Sequence, residues 1–492
     1  MSIKKKTPEF RLEHDFLGER EIPATAYYGV QSLRGKENFP ITGEKQQGSL
    51  IRAIAMVKKA CALANRDIGL LDDNLCKVIV AAADEIIAGK HHGQFIVDPI
   101  QGGAGTSFNM NANEVISNRA LEILGEDLGR YDILSPNNHV NMGQSTNDVY
   151  PTAFNIATTM DLESLLDEMR RMHEAFLANA KKFHIMIKMG RTHLQDACPI
   201  RLGQEFEAYA MVLGRDINRI SVTSAPLYNV NLGATAIGTG LNADPQYIEL
   251  SVKYLAEISG YPMATAEHLV DATQNTDAYT TISSALKICM LNMSKISNDI
   301  RLMSSGPRCG LGELNLPANQ PGSSIMPGKV NPVMAEVLNQ VAFQVVGNDC
   351  TISHASQAGQ FELNVMKPVI VYNLLQSIRI MRNVFRVFRK NLLEGLTANE
   401  GRMRAYVEDS VGIITAVVPH IGYEASSKIA KEALSTGRTV RELLLRDKLL
   451  TGGELDIILH PLEMTRPGIA GYSILKARRK KEVTTSSRKK SK

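Results

Sequence analysis

Apolar residues recur along much of this chain at alternating intervals of three and four. The cleanest series is Ile282, Leu286, Cys289, Met293, Ile296, Ile300 and Met303, which keeps that spacing without a gap. A 3.5-residue period lays one apolar seam along a helix, here about 22 residues and roughly 33 Å long at 1.5 Å per residue. Ile288, Met290, Leu291 and Leu302 widen the apolar surface beyond one seam. A second series, Leu162, Leu165, Met169, Met172, Phe176 and Phe183, has the same spacing with Asn179 in one slot, and residues 333–346 and 369–385 share its texture. Helices that are apolar on several sides predict a large bundle. Left uncovered, such surface is a liability, so the pattern predicts association into an oligomer, against the plainer alternative of a monomeric helical domain.

Around this centre the texture changes. Residues 1–145 mix short helical patches, such as residues 51–65, with loops interrupted by Pro8, Pro23, Pro40 and Pro99. Residues 146–400 hold the long periodic stretches, and residues 401–475 form a shorter, more loop-broken unit. The expected architecture is therefore mainly α, with an N-terminal mixed helical domain, a central helix-bundle domain and a small C-terminal helical domain. No solenoid-type repeat is present.

Composition supports helices. Apolar residues make up 44% of the 492, aromatics only 5%, Trp is absent and Met reaches 20, which suits an aliphatic, thioether-rich bundle better than a β-sandwich. The formal charge of +4 is concentrated at one end: residues 476–492 carry nine Lys or Arg against one Glu, so the remainder is at −4. The tail reads as a solvated, disordered end, and the mildly acidic body gives no reason to expect nucleic acid. Six cysteines without a C-x-x-C pair suggest reduced thiols. The N-terminus lacks an apolar core segment and no run of 18 apolar residues occurs, so a cytoplasmic protein is expected.

Four polar loops carry the candidate chemistry. Residues 322–332, GSSIMPGKVNP, combine two glycines and two prolines with Ser323, Ser324, Lys329 and Asn331. A phosphate-binding P-loop is excluded because the interval from Gly322 to Gly328 is one residue too long and Val330 stands where Ser or Thr is required. Ser323 also lacks the G-x-S-x-G elbow of α/β hydrolases. Residues 101–114, QGGAGTSFNMNANE, lead three glycines into Thr106 and a plausible helix. Residues 141–152, NMGQSTNDVYPT, repeat the chemistry with Ser145, Thr146 and Asn147, and residues 189–199, MGRTHLQDACP, carry Thr192 and His193. Taken singly, each is an ordinary cap or turn. Together, four hydroxyl- and amide-rich loops among rigid helices suggest a shared anion-binding cavity, since helix N-termini with glycine-freed amides favour carboxylates. His91 and His92 have no ligand-spaced partner and read as a surface pair, so no metal is expected.

These strings also spell a family. GSSIMPGKVNP resembles the signature loop of the aspartase and fumarase superfamily. QGGAGTS, QSTND, GRTHLQD, LGATAIGTGLN and SSGPRCG resemble further segments of it in the usual order, over about residues 10–473. Within the superfamily, residues 229–242, QSTNDVYPT and SSIMPGKVNPVMAE look most like its aspartate ammonia-lyases. The resemblance implies a homotetramer of three-domain subunits with a twenty-helix core, active sites built from loops of three subunits, and no cofactor. It implies Ser323 as the base that takes a β-carbon proton from L-aspartate on the way to fumarate and ammonia. By the same resemblance, Thr106, Ser145, Thr146 and Ser324 would hold the β-carboxylate, Lys329 and Asn331 the α-carboxylate, while Asn147, Thr192 and His193 would surround the amino group.

Two positions leave the substrate open. Some aspartases have Gln where this chain has His193 and Ala where it has Gly328, while fumarases commonly have His and Gly. A histidine acid would suit the loss of hydroxide, a poorer leaving group than ammonia. Fumarate hydratase therefore stands as the alternative, followed by a non-catalytic structural relative. Cofactor-built ammonia-lyases are disfavoured, because the Ala-Ser-Gly triplet they require is absent.

Overall fold

A computed structural model describes residues 9–322, 324–478 and 480. Ser323, the residue expected from the family resemblance to act as base, and nearly all of the basic tail therefore lie outside the described residues. The chain is mainly α-helical. Its strands, among the described residues, form four two-stranded pairs. Contacts divide it into two compact units, one of Met1–Glu168, Asp216–Leu291 and Gln340–Asn383, the other of Met169–Arg215, Asn292–Asn339 and Val384–Lys492.

The periodic stretches are the long helices: Thr146–Lys182, Leu202–Thr223, Asp277–Met303, Val333–Gln357 and Lys367–Phe388. Every member of the 282–303 seam is buried, as is every apolar member of the second series. Asn179, the polar residue in that second seam, is tolerated because its Nδ2 donates to the Leu393 carbonyl at 2.9 Å. Of the residues that widen the first seam, Met290 is buried while Ile288, Leu291 and Leu302 face outwards, as do Met211, Val222 and Phe343 on neighbouring helices. Among the described residues no helix is long and apolar enough to cross a membrane.

A separate core forms in the second unit. Val417, Ile429, Leu443, Leu444, Leu455 and Ile458 from the C-terminal helices pack with Ile187 and Met189 of a β-hairpin. That hairpin, Ile187–Thr192 against Gln195–Arg201, corrects the reading of residues 189–199 as a loop. Its turn consists of His193 and Leu194, with φ of 55° and 60°. A two-residue turn with both φ positive normally uses Asn-Gly or Asp-Gly, so the usual sequence signal was missing.

Candidate active site

In the first unit, the helix Thr106–Leu124 starts where the sequence placed it. Gly103, Ala104 and Gly105 all adopt positive φ, and a Cβ on Gly105 would lie 2.7 Å from the Tyr150 ring, so only glycine fits there. Thr106 is exposed on the first turn, its Oγ1 donating to the Gly103 carbonyl at 2.7 Å. Ser145 caps the next helix: its Oγ accepts from the Asn147 amide at 3.1 Å. The two helix starts are joined by Asn109, one turn beyond Thr106, whose Nδ2 donates to Thr146 Oγ1 at 3.1 Å and to Asn141 Oδ1 at 3.2 Å.

Pro151 explains a further tie. Lacking an amide hydrogen, it leaves the carbonyl of Asn147 without its helical partner, and Asn231 Nδ2 donates to that carbonyl at 3.0 Å. The Asn147 side chain donates in turn to the Ala236 carbonyl at 2.7 Å, which leaves its amide oxygen as the atom suited to an ammonium group.

Beneath these starts lies a polar group that sequence reasoning missed. Lys58 is fully buried and donates to Asn141 Oδ1 at 2.9 Å and Gln144 Oε1 at 2.7 Å. Burial lowers its pKa to about 7, opposed by the neighbouring Cys61 and Asp148. Asp148, also fully buried, is pushed up to about 7 by burial, against the backbone amides of Thr235 at 2.9 Å and Ser145 at 3.1 Å that it accepts. The sequence did hold a signal for Lys58. Ile51, Ile54, Lys58 and Cys61 are spaced as one helical seam, and all four are buried.

The second unit holds the remaining candidates. Thr192 and His193 sit exposed at the hairpin tip. The 322–332 loop closes on itself: Gly322 N donates to Lys329 O at 2.9 Å, Lys329 N to Met326 O at 3.2 Å and Asn331 Nδ2 to Gly322 O at 3.3 Å. A Cβ on Gly322 would meet Lys329 O at 2.3 Å, so this closure requires glycine. Gly328 has φ of 84° with open space around it. Ser324 and Lys329 are exposed, and Lys329 and Asn331 line a cavity of about 740 Å³ together with Arg301, Ser305 and Asn399. Among the described residues no cluster of His, Cys, Asp and Glu is arranged to hold a metal. His91 and His92 are each half-buried and tethered, to Glu85 Oε2 and to the Ile86 carbonyl, both at 2.9 Å.

Comparison with known proteins identifies the family. The family described as Lyase matches residues 18–347, and the one described as Fumarase C C-terminus matches residues 413–466. The aspartate ammonia-lyase of Bacillus subtilis (strain 168) is 65% identical over 95% of this chain and 98% of that protein. The crystal structure of fumarate lyase:delta crystallin from Brucella melitensis bound to cobalt superposes with a TM-score of 0.91 at 49% identity, covering 93% of this chain and all of that one. The recombinant class II fumarase of Schistosoma mansoni gives 0.88 at 35% identity, over 93% of this chain and 99% of its own. The chain belongs to this lyase family, the aspartase and fumarase superfamily. Within it the chain groups with the aspartate ammonia-lyases, which makes it an enzyme of the carbon–nitrogen lyase class.

Proposed function

We propose that this protein catalyses the reversible deamination of L-aspartate to fumarate and ammonia, as a cytoplasmic homotetramer of three-domain subunits. The observation that carries the reading is the pair of helix starts at Thr106 and Thr146, cross-linked by Asn109 and underpinned by buried Lys58. The two helix starts present hydroxyls and amides on fixed supports, which would suit a developing carboxylate dianion. Exposed apolar side chains on the long helices, Met211, Leu291 and Phe343 among them, support the tetramer.

In the proposed reaction the Ser323 alkoxide takes a proton from the β-carbon. The electron pair moves into the β-carboxylate, giving an aci-carboxylate held by Thr106, Ser145, Thr146 and Ser324. Lys329 and Asn331 hold the α-carboxylate. Collapse of the aci-carboxylate forms the carbon–carbon double bond and expels neutral ammonia from the ammonium form, so no strong general acid is needed. Asn147, Thr192 and His193 surround that leaving group. One lost donor to the oxyanion costs roughly 3 kcal/mol of barrier. The loops are proposed to come from neighbouring protomers, which makes assembly a condition of activity.

His193 and Gly328 favour fumarate hydration as the second reading. A paired assay decides between them: fumarate absorbance should rise with L-aspartate and not with L-malate, and Ser323→Ala should abolish turnover while leaving the tetramer intact. Turnover of malate alone, or an unchanged kcat in the Ser323 variant, would refute the reading.

A further inference from the structure

Arg191 immediately precedes Thr192 in the GRTHLQD string, yet the proposed chemistry gives it no role. Between Met189 and Arg191 the hairpin register shifts by one residue, so that Ala197 and Cys198 of the partner strand stand opposite the single Gly190 just below the tip. Gly190 permits this close approach, since a Cβ there would lie 2.6 Å from the Cys198 carbonyl. The Arg191 side chain is largely buried, and its Nη1 lies 2.9 Å from Glu313 Oε1. Glu313 is fully buried and also pairs with Lys188 at 3.3 Å, so it is the charge partner of two cations from one strand. Its backbone is fixed at both ends, its amide donating to Met303 O and its carbonyl accepting from Asn399 N, each at 2.8 Å.

The guanidinium of Arg191 lies 6.0 Å from the centre of the Tyr406 ring, and Arg402 lies 5.5 Å from the same ring. Arg402 donates through Nε to Tyr406 Oη at 2.8 Å, and through its terminal nitrogens to the carbonyls of Pro307 at 2.9 Å and Gly310 at 2.7 Å. Tyr406 Oη donates to Leu311 O at 2.9 Å. Pro307 and Gly312, at either end of this clamped turn, line the cavity that holds Lys329 and Asn331. One continuous set of contacts thus runs from the residue beside Thr192 to the cavity wall.

We propose that Arg191 is a positioning residue, coupling the hairpin tip that carries Thr192 and His193 to the wall of the Lys329–Asn331 cavity through Glu313, Tyr406 and Arg402. The inference rests on the proposed aspartate reading for its kinetic consequence. A guanidinium suits the task because it can pair with a carboxylate along one edge while lying over an aromatic face, whereas a lysine ammonium is a point charge without that plane.

The test uses the full-length protein with Arg191→Lys, Tyr406→Leu and the double variant. Each single change should raise KM for L-aspartate about tenfold with kcat within about twofold, and the double variant should match either single one, because coupled residues are not additive. Amide exchange in Arg191→Lys, followed by mass spectrometry without substrate, should rise both at residues 192–195 and at residues 305–312. Effects on KM that multiply in the double variant, a loss confined to kcat, or unchanged exchange at the hairpin tip would overturn the proposal. If the wild-type protein fails to turn over L-aspartate, the functional reading falls. The exchange measurement still judges the coupling, and does so even if Tyr406→Leu does not fold.

Discussion

The groups proposed to hold anions in the first unit and those in the second are supported by opposite physical means. Thr146 and Asn147 stand on a helix start whose neighbours are buried and cross-linked, with Asn109 at 1% and Lys58 at 0% exposure. Ser324 and Lys329 belong to a loop held by a few hydrogen bonds of its own, and Ile325 on that loop is 83% exposed. The first arrangement suits donors that must already point at developing charge, since reorientation during reaction would forfeit their effect. The second suits a segment that must admit substrate and then cover it. Substitutions should therefore separate: activity alone in the loop, activity and stability together in the buried cradle.

The largest expected effect is on the loop. Lys329→Met should lower kcat/KM about 10²- to 10³-fold, near 3 kcal/mol, with an unchanged melting temperature. A comparable loss of thermal stability would show that the loop is structural and would break the comparison. Asn109→Ala should act on both counts, because it removes a buried side chain whose amide donates to half-buried Thr146 and Asn141. About 1–3 kcal/mol of stability should be lost, visible as a lower denaturation midpoint, alongside roughly tenfold in kcat/KM.

Lys58 sharpens the contrast through pH. Its pKa is about 7 in the folded protein and 10.5 ordinarily, so between these values the unfolded chain binds the extra proton and stability rises with pH. Relative to Lys58→Met, the wild-type protein should gain up to about 1.4 kcal/mol per pH unit above pH 7, measured from denaturation midpoints at pH 7 and 9. A parallel pH dependence in the two proteins would mean that Lys58 does not titrate as a buried amine. The smallest effect belongs to Gly328→Ala. With φ of 84° and open space around it, only the backbone resists, so a penalty of about 1 kcal/mol and a change in kcat/KM of no more than about fivefold are expected.

Much of the fold was legible because helix periodicity is a local property. The Ile282–Met303 seam lies buried along one helix, and the glycine and hydroxyl cluster at residues 101–106 does open a helix. The hairpin at residues 187–201 was not legible, since His193 and Leu194 take positive φ without Asn or Gly to announce it. Lys58 was overlooked because a lysine in an amphipathic patch is ordinarily placed on the solvated side. Its partners Asn141 and Gln144 lie more than eighty residues away in sequence.

The sequence by itself determined the helical class, the positions of the long seams and the strings that carry the family chemistry, because each depends on residues within a few turns of one another. The tertiary structure decided which of those polar residues acquire fixed partners. Only folding could join Asn109 to Thr146, give the carbonyl freed by Pro151 to Asn231, and bury Lys58 under a helix start. Those contacts join residues far apart in the chain, and their strength comes from exclusion of water, which no local pattern of side chains records.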